Sequence, residues 1–120
     1  MSDENKNHRF ATHTVHSGTQ HIGDAVNTPI FQSSTYKLTD ERYAGWAAGA
    51  QHTLLYGRLS TVNSDAVAQK LIALEHGEDA EVFASGMAAI STTLITLPNQ
   101  GDHMVASADV HGGTYGLLTE

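Results

Sequence analysis

A serine, a glycine and a methionine stand where one apolar run gives way to another: Glu81-Val82-Phe83-Ala84, then Ser85-Gly86-Met87-Ala88-Ala89-Ile90. If the first run is a strand and the second a helix, the first N–H groups of that helix have no intrahelical partner, and its dipole adds partial positive charge there. Gly86 lets an anion approach the backbone and the Ser85 hydroxyl adds a donor, which together make a phosphate-type site. The same residues would serve equally as an ordinary N-cap. Upstream, Tyr56-Gly57-Arg58 sets a phenol beside a guanidinium whose planar fork matches phosphate oxygens. In an extended segment the two side chains point the same way. The plainer alternative is a solvated Arg58 beside a half-buried Tyr56. Downstream, Asp109-Val110-His111-Gly112-Gly113-Thr114-Tyr115 follows an expected strand. His111 would then sit at a strand's carboxyl end, where open α/β sheets bind ligands, or it is a surface histidine in a loop with a helix cap.

These residues need elements to hold them. Val67, Leu71 and Leu74 recur at i, i+4 and i+7, which is one helical face. Asn63 or Ser64 can cap that helix and Gly77 can end it. Glu81–Ala84 reads as a short buried strand. Met87, Ile90, Leu94 and Leu97 mark a second helical face, stopped by Pro98. A further strand is expected within 102–107, around Met104-Val105-Ala106, and a third helix opens at Gly112-Gly113-Thr114. Helix, strand, helix, strand, helix is the rhythm of a parallel α/β sheet with flanking helices, here incomplete at Glu120. Ahead of it, residues 1–25 read as a polar, extended, histidine-rich arm. Asn27 to Leu38 reads as extended backbone leading into a turn at Thr39-Asp40. Tyr43 to Gln51 reads as a loop or a short helix.

Composition narrows the classes of function. The chain has 120 residues, 40% of them hydrophobic and 16% charged, which is the profile of a globular domain. Thirteen acidic against six basic residues give a formal net charge of −7, which disfavours nucleic acid and anionic membrane as partners. There is no cysteine, so no disulfide framework and no thiolate chemistry, in keeping with the cytoplasm. The stretch between Glu81 and Asp102 is uncharged and long enough to span a membrane, but Ser85, Gly86, Ser91, Thr92, Thr93 and Thr96 divide it into strand and helix. The N-terminus, Met1 to Arg9, has no apolar core and is no secretory signal. His13-x-x-His16 has no carboxylate or cysteine at ligand spacing, so no metal is expected. No Walker loop, G-x-G-x-x-G or G-x-S-x-G motif occurs.

Taken in order and at their spacing, the motifs are far more specific than any one of them. Thr14-Val15-His16-Ser17-Gly18, Thr28 to Tyr36, Tyr56-Gly57-Arg58, Leu74-Glu75-His76-Gly77, Ser85 to Ile90, Gly101-Asp102-His103 and Gly112-Gly113-Thr114-Tyr115 together resemble the N-terminal part of the cysteine/methionine-metabolism family of pyridoxal-phosphate enzymes. That family includes cystathionine γ-synthase, cystathionine lyases, methionine γ-lyase and O-acetylhomoserine sulfhydrylase. The resemblance runs from about Phe10 to Glu120.

The resemblance implies an N-terminal arm and oligomer-contact segment over 1–55, then the beginning of a fold-type I pyridoxal-phosphate-binding large domain over 56–120. It implies that Ser85, Gly86 and Met87 hold the cofactor phosphate, and that Tyr56 and Arg58 reach a neighbouring subunit's phosphate in a homo-oligomer, usually a dimer of dimers. The substrates implied are sulfur amino acids or O-acylhomoserine, by β/γ-elimination or γ-replacement. Two departures stand out. The family usually has Tyr before Gly-Gly-Thr, stacked on the cofactor ring, where this chain has His111. An imidazole also stacks and suits acid–base work near neutrality. The family tends to have Asn-Pro-Thr soon after the Tyr-x-Arg arginine. Here the chain reads Leu59-Ser60-Thr61-Val62-Asn63, so the next helix is expected to start differently. The family's Schiff-base lysine, in a Ser-x-Thr-Lys context, matches none of Lys6, Lys37 and Lys70, and Lys70 reads as a solvated charge on a helix. The 120 residues are therefore expected to carry the phosphate cup and the stacking face and to be inactive alone. They read as an N-terminal fragment of such an enzyme or, alternatively, as a non-catalytic truncated remnant or partner of a full-length paralogue.

Overall fold

A computed structural model describes residues 9–50 and 53–119. The expectations that fall on Met1–His8, Gln51 and Glu120 lie outside the described residues. Five helices are present among the described residues: α1 (Phe10–His16), α2 (Asp40–Ala47), α3 (Val62–Glu75), α4 (Gly86–Thr96) and α5 (Gly112–Thr119). The described residues up to Glu81 form one compact unit and those from Val82 onward form another.

In the first unit α3 is the organiser. Thr61 caps it: its hydroxyl accepts from the Ser64 amide, while the Ser64 hydroxyl accepts from the Thr61 amide, a reciprocal capping box. The cap thus falls at Thr61, ahead of the expected Asn63 or Ser64. The helix ends with His76 in the left-handed conformation at φ 56°, and both the His76 and Gly77 amides bond to the Ile72 carbonyl. Gly77, the expected stop, therefore lies one residue past the turn.

The buried face of α3 also differs from the expected one. Val62, Ala68, Ile72 and Ala73 are buried, whereas Val67 and Leu71 remain about half exposed, at 48% and 44%. Gly18, at φ 73°, is where a neighbouring segment comes close to α3, against Ala66 and Lys70. A Cβ on Gly18 would overlap the Ala66 carbonyl oxygen and lie 2.8 Å from the Lys70 amide nitrogen. Only glycine combines that conformation with that approach.

The expected extended arm is instead partly helical, as α1. Its helix has no side-chain cap and Phe10 and Val15 are mostly exposed, so the local pattern gives no amphipathic signal. Tertiary contact supports it. α1 packs on α3, His13 is buried, and the Lys70 ammonium donates to the Thr14 carbonyl at 2.9 Å, near the negative end of the α1 dipole. Lys70 is thus a helix-docking cation, not simply the solvated charge expected. Between α1 and α3, the stretch from Tyr43 read as loop or short helix is helical as far as Ala47, in α2, which begins already at the expected turn: Thr39 caps it and Asp40 and Glu41 stand in its first turn.

The second unit consists of α4 and α5 packed on each other. Leu97 and Pro98 end α4 as the pattern indicated. The expected strands at Glu81–Ala84 and around Met104–Ala106 do not form, and among the described residues there is no strand, only an isolated antiparallel bridge between Thr35 and Tyr56. The parallel sheet expected from the rhythm of the sequence is corrected accordingly. A strand exists by pairing, and parallel pairing of two short segments, with neither face covered, supplies too little to hold one.

Candidate functional site

The second unit carries two helix N-termini. Ser85 has extended backbone, at φ −157° and ψ 160°, and its hydroxyl oxygen accepts from the Ala88 amide at 3.1 Å. Its carbonyl accepts from the Ala89 amide at 3.1 Å. Of the first-turn amides of α4, those of Gly86 and Met87 remain without an intrahelical acceptor. A Cβ on Gly86 would stand in open space, so nothing crowds the approach to those two donors. The Ser85 hydroxyl uses only a lone pair in its cap, which leaves its proton to donate elsewhere. Capping and anion binding are therefore compatible at this turn.

At α5 the cap is His111. Its carbonyl accepts from the Tyr115 amide at 3.0 Å and its Nδ1 accepts from the Gly113 amide at 3.2 Å. A ring nitrogen that accepts carries no hydrogen, so this arrangement places the imidazole proton of the neutral ring on Nε2. Met87 joins the two turns. The Thr114 hydroxyl lies 3.7 Å from the Met87 sulfur, and a Cβ on Gly113 would lie 3.1 Å from it. The structure thus brings Met87 of the Ser-Gly-Met turn against the turn that follows His111.

The Tyr56–Arg58 pair belongs to the first unit. Tyr56 is bridged to Thr35, through a Gly57 amide bond to the Ser34 carbonyl at 2.7 Å and a Tyr36 amide bond to the Leu55 carbonyl at 3.2 Å. Beyond Tyr56 the chain turns instead of staying extended: the Leu59 and Ser60 amides both bond to the Tyr56 carbonyl, at 2.8 and 3.2 Å. The turn still brings the two side chains together. The Arg58 guanidinium lies 5.8 Å from the centre of the Tyr56 ring, a cation–π distance, and both residues are exposed.

Asn63 does not cap α3; its side chain reaches a distant segment instead. Its amide nitrogen donates to the Pro29 carbonyl at 2.9 Å and its side-chain oxygen accepts from the Phe31 amide at 2.8 Å. These partners lie more than thirty positions away, so no local pattern could have revealed them.

In the second unit, free helix-start amides and a serine hydroxyl are donors suited to a phosphorylated ligand, and an imidazole caps the neighbouring helix; in the first unit, the arginine fork is by itself suited to a phosphate. Comparison with known proteins gives this class a family. The model of the Cys/Met metabolism PLP-dependent enzyme family matches residues 11–120, and the chain belongs to that family. The family is pyridoxal-phosphate dependent. The chain is 33% identical to an L-methionine gamma-lyase of Pseudomonas deceptionensis, over 98% of this chain and 30% of the relative. It is 40% identical to a probable cystathionine gamma-synthase of Herpetosiphon aurantiacus, over 91% of this chain and 32% of the relative. It is 42% identical to a cystathionine gamma-lyase of Bacillus subtilis (strain 168), over 80% of this chain and 23% of the relative. The chain therefore spans about a third or less of the length of these relatives. Among the described residues no helix is long and apolar enough to cross a membrane.

The segment Leu59 to Asn63, where a departure from the family pattern was expected, contains the start of α3. Thr61 and Val62 fill the cap and first-turn positions, and the capping box keeps a well-defined helix start after the Tyr56–Arg58 turn.

Proposed function

We propose that these residues form the phosphate-holding part of a pyridoxal-phosphate-dependent carbon–sulfur enzyme of the trans-sulfuration type. The reaction is β/γ-elimination or γ-replacement on a sulfur amino acid or O-acylhomoserine. The observation that carries the reading is the meeting of the α4 and α5 starts at Met87, which sets phosphate donors beside an imidazole within one unit. The names of the relatives, lyases of methionine and of cystathionine and a probable cystathionine synthase, support this substrate class.

In this reading the Gly86 and Met87 amides and the Ser85 hydroxyl donate to the phosphate, with the α4 dipole adding attraction. Tyr56 and Arg58 complete the cup for a neighbouring subunit, so the site exists only in a homo-oligomer. Their exposure and their position on the 53–60 turn, outside any helix, suit a reach across an interface. Residues 1–55 would then serve as arm and oligomer contact, and 56–120 as the opening of the cofactor-binding domain. When bound, pyridoxal phosphate supplies the electron sink that stabilises negative charge on substrate carbon. With the cofactor bound, His111 would face its ring, and the neutral imidazole would hold its proton at Nε2, because its Nδ1 is committed to the Gly113 amide. That fixes which ring nitrogen can exchange a proton with a substrate.

The test uses the full-length protein. It is titrated with pyridoxal phosphate and followed by absorbance, then assayed with L-methionine, L-cystathionine and O-acylhomoserine. Elimination liberates a thiol, ammonia and a 2-oxo acid, whereas replacement consumes the acylated substrate and a thiol. Saturable cofactor binding with one of these outcomes is expected. Absence of cofactor binding at any concentration overturns the reading.

A further inference from the structure

We infer that Asn63 is a positioning residue for the Tyr56–Arg58 pair, acting through the strap of residues 29–36. The inference rests on the reading above that this pair grips a phosphate.

Arg58 is exposed on a turn, with a long flexible side chain, and a guanidinium free to wander loses affinity in the ordering it must undergo on binding. The chain restrains it at two levels. The Tyr56 ring lies under the guanidinium at 5.8 Å. The backbone that carries both residues is then held in a closed circuit. At one end of the strap the Gly57 amide bonds to the Ser34 carbonyl and the Tyr36 amide to the Leu55 carbonyl, at 2.7 and 3.2 Å. Inside the strap the Ser33 hydroxyl donates to the Thr35 carbonyl at 2.7 Å. At the other end Asn63 grips Pro29 and Phe31 with both halves of its amide. Asn63 stands in the first turn of α3, and that helix start is tied back to the Arg58 turn through Ser60, whose hydroxyl donates to Asp65.

The grip calls for both a donor and an acceptor. The Pro29 carbonyl needs a hydrogen and the Phe31 amide needs an oxygen, and a primary amide offers one of each on a short, planar side chain. Aspartate keeps the acceptor but sets a carboxylate against the Pro29 carbonyl oxygen. Alanine keeps neither. Without the grip the strap is fastened at one end only, and Tyr56 and Arg58 lose the fixed base from which they meet a phosphate. Pre-organised geometry of this kind is a main source of affinity at a polar site. Gly57 tests the circuit from its other end, because a Cβ there would stand 3.3 Å from the Ser34 Cα, so the paired backbone must give by a few tenths of an ångström.

The experiment is a double-mutant cycle on the full-length protein, reading the dissociation constant of pyridoxal phosphate by absorbance or fluorescence titration. The variants are Asn63→Ala, Arg58→Ala and the two combined, with Gly57→Ala alone and with Arg58→Ala as an independent second cycle. Arg58→Ala should weaken binding by about 30-fold and Asn63→Ala by about tenfold. The combined variant should bind no more weakly than Arg58→Ala alone, because a residue that acts through Arg58 has nothing to position once it is gone. Asn63→Asp should behave as Asn63→Ala. Factors that multiply in full in both cycles overturn the inference and make Asn63 an ordinary structural residue. An Arg58→Ala variant that binds as tightly as wild type overturns the phosphate reading and this one with it, an outcome distinct from multiplication. Should Asn63→Ala not fold, the Gly57 cycle decides by the same criterion.

Discussion

The two units use the same kinds of residues to opposite ends. In the first, α3 buries Val62, Ala68, Ile72 and Ala73, and the chain closes over them through Gly18, Lys70 and Asn63. In the second, no described residue is buried. Val105 is 98% exposed, Ile95 77% and Leu97 73%, although α4 is the more apolar helix in sequence. Hydrophobicity of a segment therefore does not say whether it is buried. Close approach by another segment decides that, and small residues make it possible. The contrast extends to chemistry. Tyr56 and Arg58 are placed by long-range tertiary hydrogen bonds, whereas Ser85 and His111 are placed by bonds to their own helix starts.

The comparison breaks if the two units respond alike to truncation. Ile72→Ala should cost about 2–4 kcal/mol of stability in the first unit, read from denaturant or thermal unfolding of the chain of 120 residues. Ile95→Ala, at 77% exposure, should change stability by no more than about 0.5 kcal/mol in the chain of 120 residues taken by itself. Equal losses would mean that α4 is as well packed as α3.

A smaller effect comes from the caps. Thr61→Ala removes one side of the capping box and should cost about 1 kcal/mol, visible as faster amide exchange at Ser64. Ser85→Ala should cost the α4 start a similar amount, about 1 kcal/mol, with faster exchange at Ala88. It should also weaken pyridoxal phosphate binding, whereas Thr61→Ala should not do so directly. That difference sharpens the distinction between a cap that only supports a helix and one that also faces a ligand.

The smallest effect is expected at His111. An asparagine side chain keeps an acceptor for the Gly113 amide, so His111→Asn should leave exchange at Gly113 nearly unchanged, while His111→Leu should accelerate it severalfold. Activity should separate the two roles of the residue. If the ring matters beyond its cap, His111→Asn keeps the α5 start and still loses turnover. Full turnover in that variant would remove His111 from the proton-transfer role proposed for it.

Much of the candidate site could be read in the linear order of residues. Ser85 at the start of an apolar helical series, Pro98 at its end and Gly112-Gly113 opening α5 are local signals, and they stand because capping and helix stopping act within one turn. The motifs running from Thr14 to Tyr115 likewise pointed to the family that matches residues 11–120. Other features had no local signature. α1 forms where a polar arm was expected, because it packs on α3 and its Thr14 carbonyl meets Lys70 there. The buried face of α3, with Val62, Ala68, Ile72 and Ala73, is not its most regular apolar series of Val67, Leu71 and Leu74. The strands expected before α4 and α5 do not form, because a strand needs a neighbour that its own residues cannot specify.

Residue order alone thus set the start and stop of α4, the donor-bearing Ser85-Gly86-Met87 turn and the family. These depend on groups within a few positions of one another, or on patterns of residue identity. Tertiary structure decided which faces are covered, that Met87 meets the turn after His111, that Asn63 bonds Pro29 and Phe31, and that Ser34 bonds Gly57 beside the arginine. Those depend on where distant groups arrive in space, and every backbone carbonyl and amide near the core must be matched by a partner that folding brings to it.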